Sequence, residues 1–233
     1  MKKKLLTVDI WDTLIRRNNH PEFSKIETAK YVFSLHEIIL KDTSISYFDI
    51  YKARLKVESE LAKRYLNEGF DDEYSIDEVF EIWLKRISET NINSDLIDKF
   101  IKFEFNFEIS NTYKDPTIID TLKNFNAERM IFLSDFYMSS SYLNKLLTHH
   151  NLIFEGYSSC DIRLNKRSGN LYKYILEKYN LDPSEQIHIG DNYYSDVEVP
   201  RRLGIESFHY EPELEHLKRL KKAVYFESFV SKD

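Results

Sequence analysis

"TVDIWDTLIRR", residues 7–17, decides how the rest of the chain is read. Its apolar lead-in, "LLTV" at 5–8, has the near-continuous hydrophobicity of a strand buried on both faces. The run then ends on an acid and turns. Asp9 and Asp12 carry carboxylates, and Trp11 stands between them. A strand over residues 4–11 that delivers Asp9 to a loop is the expectation from which the other segments are placed.

Outward from this strand the pattern changes twice. Between residues 20 and 112, "PEFSKIETAKYVFSLHEIIL", "SYFDIYKARLKVESELAKRYLNEG", "SIDEVFEIWLKRISET" and "DLIDKFIKFEFNFEIS" each repeat apolar residues at helical spacing. Ser75 followed by Asp77 and Glu78 predicts a helix start with acids in its first turn. Arg54 with Glu58, and Glu104 with Glu108, stand four residues apart at helical spacing, and Tyr47, Phe48, Phe103 and Phe105 read as the core of this block.

After Pro116, helices and strands alternate. The pattern predicts helices over 117–125, 139–149, 169–180, 194–203 and 212–230, with strands over 129–134, 153–158, 186–190 and 206–210. Alternation of this kind implies an α/β, Rossmann-like parallel sheet, with the helical block inserted after its first strand. The predicted division is a core of residues 1–18 and 115–233 and an all-helical insert of 19–114.

Open parallel sheets bind ligands at the carboxyl ends of their strands. Those ends carry Asp9, Ser134 with Asp135, the Ser158–Asp161 region, and Gly190 with Asp191. Acids gathered at one rim repel each other and call for a hard cation with oxygen ligands, Mg²⁺ above all.

Composition excludes other classes. A formal charge of −6 argues against a general nucleic-acid binder. The single cysteine, Cys160, permits no internal disulfide or cysteine zinc site, which points to a reducing cytoplasm. "MKKKLLTVDIW" opens like a signal peptide, but Asp9 breaks its short apolar run. No stretch approaches the roughly 18 apolar residues of a membrane span. Nothing in the sequence names a protein partner.

Four ordered pieces together resemble the haloacid dehalogenase (HAD) superfamily: "VDIWDTL" at 8–14, "IFLSD" at 131–135, Lys166 in "NKRSGNLY", and "HIGDNYYSD" at 188–196. Within it, "DIWDTL" and "SDFYMS" are most similar to a branch associated with bacterial surface-polysaccharide pathways. The resemblance implies a HAD core with a helical cap and an Mg²⁺-dependent phosphatase acting on a small phosphorylated metabolite, such as a sugar or polyol phosphate. Asp9 would be the nucleophile that becomes an aspartyl phosphate. Ser134 and Lys166 would hold the phosphoryl oxygens. Thr13 would orient the loop or a phosphate oxygen. Asp9, Asp191, Asp196 and the Trp11 backbone carbonyl would hold Mg²⁺. Asp135 is read both as a substrate-side residue and as a brace for its loop.

In HAD phosphatases the acid two residues after the nucleophile protonates the leaving oxygen. Trp11 keeps a carbonyl there but has no proton to give. Asp12, a residue of the cap, or a leaving group needing little protonation are the open substitutes. Two other functions remain: a non-catalytic HAD-fold protein binding a phosphorylated ligand or a partner, and a metal-independent dehalogenase, against which both Asp191 and Asp196 count.

The plainer roles are these. Asp12 with Thr13 also suits a turn cap, and Arg163 or Arg167 competes with Lys166 for the anion-contacting role. His188 reads as a core histidine, Cys160 as packing, and His149 with His150 as a helix end. Arg16 and Arg17 are read either as contacts for an anionic substrate or as a solvated pair, and Trp11 as substrate wall or core cover.

Overall fold

The computed structural model describes residues 2–35, 40, 44–88 and 92–231. The parts of the predicted helices at 36–39 and 89–90 lie outside the described residues, as does Met1.

The first strand, β1 (Lys3–Val8), runs down the middle of a five-stranded sheet. Its partners are β4 (Ala127–Ser134) and β6 (Gln186–Gly190), and β5 (Gly156–Ser158) and β7 (Glu206–His209) flank these in the order β5-β4-β1-β6-β7. Every pairing in it is parallel. Val8 sits opposite Phe132 on one side and Ile189 on the other. The chain builds outward from β1 through β4 and β5, then returns to lay β6 and β7 on the opposite side. The reversal point is β1 with β6, where an open parallel sheet leaves its ligand crevice.

The strands form where the apolar runs are. Leu5, Leu6, Val8, Phe132, Leu133 and Ile189 are at most 1% exposed. The helix Asn170–Tyr179 packs Leu171, Tyr172 and Ile175 against Leu5, Ile131 and Leu133. Predicted and observed strands agree closely at β4 and β6, whereas β1 ends three residues early because Asp9 begins the turn.

The sequence pattern held no sign of a further pair, β2 (Ile15–Arg17) with antiparallel β3 (Thr112–Lys114). Each holds only three residues, too few to establish a period. The pair marks where the insert begins and ends. Arg16, on β2, is 2% exposed and bound to Asp115 at 2.7 Å, so it is a buried tie within the sheet unit rather than a solvated charge.

Contacts divide the chain into a sheet unit, residues 1–18 and Thr112–Lys218, and a helical unit, Asn19–Asn111 with Arg219 onward. The helical unit contains Glu22–Phe33, Tyr47–Asn67, Ile76–Ile87 and Ser94–Ser110. Ser46 with Asp49, and Ser75 with Glu78, form reciprocal capping boxes at two helix starts. Trp83 is fully buried and donates its indole N–H to the Ile50 carbonyl at 3.0 Å.

The division differs from the sequence expectation at the end of the chain. The final helix, Glu213–Val230, was expected with the sheet, yet from Arg219 it groups with the helices. The physical reason is aromatic: Phe226 and Phe229 pack on Phe23, with ring centroids 5.6 and 5.2 Å away. Among the described residues, no helix is long and apolar enough to cross a membrane.

Candidate active site

Asp9 is the first residue beyond β1, and its backbone N–H donates to the Ile189 carbonyl at 2.8 Å. This bond continues the ladder one step past the strand and fixes where the side chain starts. Asp191 follows β6, and Asp196 lies in a π-helical turn, Tyr193–Glu198. The Asn192 side chain caps that turn by accepting from the N–H groups of Tyr194 and Ser195, both at 3.1 Å. Gly190 is required beneath it, because a Cβ there would collide with the Asp196 carboxyl.

One carboxylate oxygen each from Asp9, Asp191 and Asp196 lies within 4.8 Å of the others, and all three residues are buried. Lys166 completes the cluster. Its Nζ donates to Asp9 Oδ1 at 2.5 Å and to Asp196 Oδ1 at 2.7 Å. It is therefore Lys166, of the three cations in "NKRSG" and its flank, that is bonded to Asp9. The Asp135 carboxylate accepts from the Lys166 backbone N–H at 2.9 Å, so Asp135 braces the lysine loop.

Burial pushes the Asp9 carboxyl well above the usual range, with Asp196 and Asp191 adding to the effect against the pull of Lys166. Burial would also raise Asp196, but the charge of Lys166 and the bond from His188 hold it below the ordinary value. Burial works against the Lys166 charge too, and Asp196, Asp9 and Asp135 outweigh it. So the surroundings favour the charged forms of Asp196 and Lys166, whereas burial disfavours that of Asp9.

His188 was expected to be a core histidine. It is fully buried, but it also has a position in the site. Its Nε2 bonds Asp196 Oδ1 at 3.2 Å, and its Nδ1 bonds Thr7 Oγ1 at 2.8 Å. Thr7 Oγ1 in turn accepts from Gln186 Nε2 at 3.0 Å. Because a carboxylate only accepts, the ring hydrogen belongs on Nε2, and Nδ1 accepts from the threonine hydroxyl. The result is a directed chain of hydrogen bonds that orients Asp196 from inside the sheet.

Ser134 ends β4 and Thr13 lies on the loop after Asp9. Both are fully buried, and neither hydroxyl has a hydrogen-bond partner. Such orphaned donors cost free energy unless something fills their place. Asp12 adopts left-handed backbone geometry at φ 58° and stands 3.9 Å from the Arg16 guanidinium. The Trp11 ring packs on Phe136, 4.6 Å between centroids, and carries the Arg17 guanidinium over its face at 3.5 Å. Cys160 is buried, and His150 bonds Thr112 at 2.9 Å, so neither joins the acids.

The site thus joins a five-stranded parallel sheet, an acid at the switch-point strand, a lysine against it and two further acids after β6. No protein-family model and no curated protein sequence matches the chain. Solved structures do. A 2-haloacid dehalogenase from Pseudomonas syringae pv. Tomato DC3000 superposes with a TM-score of 0.56 at 16% identity, over 91% of this chain and 87% of that one. The chain has the HAD fold. A putative HAD-hydrolase from Bacillus subtilis, solved bound to magnesium, matches with a TM-score of 0.53 at 16% identity, covering 92% and 91% of the two chains. The defluorinating L-2-haloacid dehalogenase Rha0230 matches at 0.56 and 13%, over 92% and 83%.

The HAD fold leaves the cation question to the residues themselves, and they fit one. Three buried carboxylate oxygens within 4.8 Å of one another repel, and a cation among them relieves that cost. Oxygen-only donors suit a hard divalent ion. Asp9, Asp191 and Asp196 are the residues that would hold it.

Proposed function

We propose that this chain is an Mg²⁺-dependent phosphomonoester hydrolase of the HAD type, working through an aspartyl phosphate on Asp9. One observation carries this: the acid trio and Lys166 share a rim with two buried hydroxyls, Ser134 and Thr13, that lack partners. A phosphoryl group supplies acceptor oxygens for those donors.

An Asp9 oxygen attacks phosphorus, the bond to the leaving oxygen breaks, and an acyl phosphate forms. Ser134 and Thr13 donate to the phosphoryl oxygens, while Lys166 offsets their charge. Asp196, oriented by His188, and Asp191 keep the negative charge that a cation needs. When bound, Mg²⁺ would shield Asp9 from the anionic substrate and polarise the phosphoryl group. Water then hydrolyses the acyl phosphate.

The substrate class is a small phosphorylated metabolite, with a sugar or polyol phosphate of surface-glycan synthesis favoured by the resemblance of "DIWDTL" and "SDFYMS". The lone Cys160 suits a reducing compartment such as the cytoplasm. The test is phosphate release from a panel of sugar, polyol and nucleotide phosphates, run with Mg²⁺, with chelator and with Asp9→Asn. Metal-dependent release that vanishes in the variant supports a phosphohydrolase. No release, with Mg²⁺ still binding, favours a phospho-ligand binder instead. Chloride release from a 2-haloacid under chelator would make it a dehalogenase.

A further inference from the structure

Each acid of the trio has its own holding bonds. Asp9 is fixed by the bond from its N–H to Ile189 and by Lys166. Asp196 is held by Lys166, by His188 and by the Asn192 N–H, which donates to Oδ2 at 3.0 Å. Asp191 is held through its backbone, from the end of β7. His209 Nε2 donates to the Asp191 carbonyl at 2.8 Å, and the Tyr210 N–H donates to the Gly190 carbonyl at 2.8 Å. The peptide groups on both sides of the Asp191 Cα thus accept bonds from two consecutive residues.

Tyr210 is itself anchored. Its hydroxyl donates to Asp115 Oδ1 at 2.6 Å, and both residues are buried. The same oxygen accepts from the N–H groups of Thr117 and Ile118, both at 2.9 Å, and Oδ2 accepts from Arg16 Nε at 2.7 Å. The Asp115 N–H donates to the Leu14 carbonyl at 3.0 Å. Burial would raise the Asp115 carboxyl, but the bonds from Tyr210, Thr117 and Arg16 hold it below the ordinary value. A turn cap accounts for the bonds from Thr117 and Ile118. It does not account for the two side chains that reach the same carboxylate from β2 and from beyond β7. Together these bonds form a strut from the chain just after the nucleophile to the chain on either side of Asp191.

We propose that Tyr210, anchored on Asp115, and His209 are positioning residues for Asp191, and that through it they set the affinity of the acid trio for a divalent cation. Their bonds go to the backbone carbonyls of Gly190 and Asp191, so they act by fixing the peptide groups from which the Asp191 carboxylate projects. Oxygen ligands bind a small hard cation well only where they converge before it arrives, and outer groups that hold them there tune the affinity. The proposal rests on the cation assignment above and names what keeps its third acid in place.

The experiment is a calorimetric titration of the full chain with Mg²⁺ alone, with Tm in chelator as the separate measure of stability. Tyr210→Phe keeps the ring and removes the anchoring hydroxyl, and His209→Ala removes the donor on the other side of Asp191. Each is expected to weaken Mg²⁺ binding on the order of tenfold. His209→Gln, whose amide donates to the same carbonyl, recovers part of the affinity. The control is Thr117, whose Oγ1 lies 2.7 Å from the Tyr210 hydroxyl and 3.2 Å from Asp115 Oδ1. Thr117→Val removes that group, leaves the Tyr210–Asp115 bond, and is expected to bind Mg²⁺ as the wild type does, whatever Tm it loses. Unchanged affinity in Tyr210→Phe or in His209→Ala overturns the role of that residue and leaves the cation site standing. Equal weakening in Thr117→Val overturns the proposal, because the network then only holds the fold. No Mg²⁺ binding by the wild type overturns the cation assignment and this one with it.

Discussion

Arg54 and Lys166 are both buried cations, one in each unit, and their surroundings differ in a telling way. Arg54 donates through Nε to Glu58 at 2.9 Å and through both remaining nitrogens to Glu104, one of those bonds at 2.8 Å. Lys25 adds a second cation on Glu58 at 2.9 Å. Both buried carboxylates are thus met directly by a cation, Glu58 by two, and Lys25 also reaches the partly exposed Glu22 at 3.0 Å. Lys166 meets Asp9 and Asp196, and their carboxylates converge with that of Asp191 within 4.8 Å of one another. A closed network fixes a fold. An open one stores a demand for a further charge, and functional sites are where a protein tolerates that demand.

The contrast can be broken first in the helical unit. Glu104→Ala leaves Arg54 buried with an unmet charge, and the expected loss is about 3–5 kcal/mol of stability by denaturant unfolding. A loss under about 1 kcal/mol would mean that Arg54 does not depend on Glu104 for its counter-charge.

In the sheet unit the largest effect is on the cation. His188→Ala removes the bond that orients Asp196. The expected weakening of Mg²⁺ affinity is about 10–100-fold by titration calorimetry, with His188→Gln recovering part of it.

Opposite signs then sharpen the comparison. Asp9→Asn relieves an acid-rich cluster, so in chelator it should raise Tm by about 2–4 °C while abolishing turnover. A fall in Tm instead would show that Asp9 is a structural partner of Lys166.

The smallest effect is in acid. Burial raises Glu58, but Arg54 and Lys25 prevail and hold it below its ordinary 4.5. Its contribution is therefore complete above that unfolded value and is lost as pH falls through the lower folded one. Tm followed from about pH 6 to about pH 3 should decline in the wild type and decline less in Glu58→Gln.

The legible parts of this molecule are those written locally. The apolar runs at 129–134 and 186–190 name their strands, and the acids at their ends name the rim. Ser75 names a helix start, because a capping box spans only four residues. The role of His188 is hidden because its partners are remote: Thr7 is 181 positions away and joins it only by the pairing of β1 with β6. Arg16 resembles half of a solvated pair, since Asp115 lies 99 positions on. The C-terminal helix has apolar residues that fit either unit, and only the packing of Phe226 on Phe23 decides between them. Trp11 is conspicuous in the sequence, but the cation stacked on it comes from the far side of a tight turn.

The π-helical turn at Tyr193–Glu198 has one more implication, for changes of length. A substitution in this segment alters a group and leaves the rest in register. A deletion of one residue between Asn192 and Asp196 would tighten the turn to α-helical and rotate each later side chain by about 100° about the axis. Asp196 would swing off Lys166 and His188 in a single step. Point changes here should grade the protein's properties, whereas a frame-preserving loss of one codon should act as an all-or-none switch.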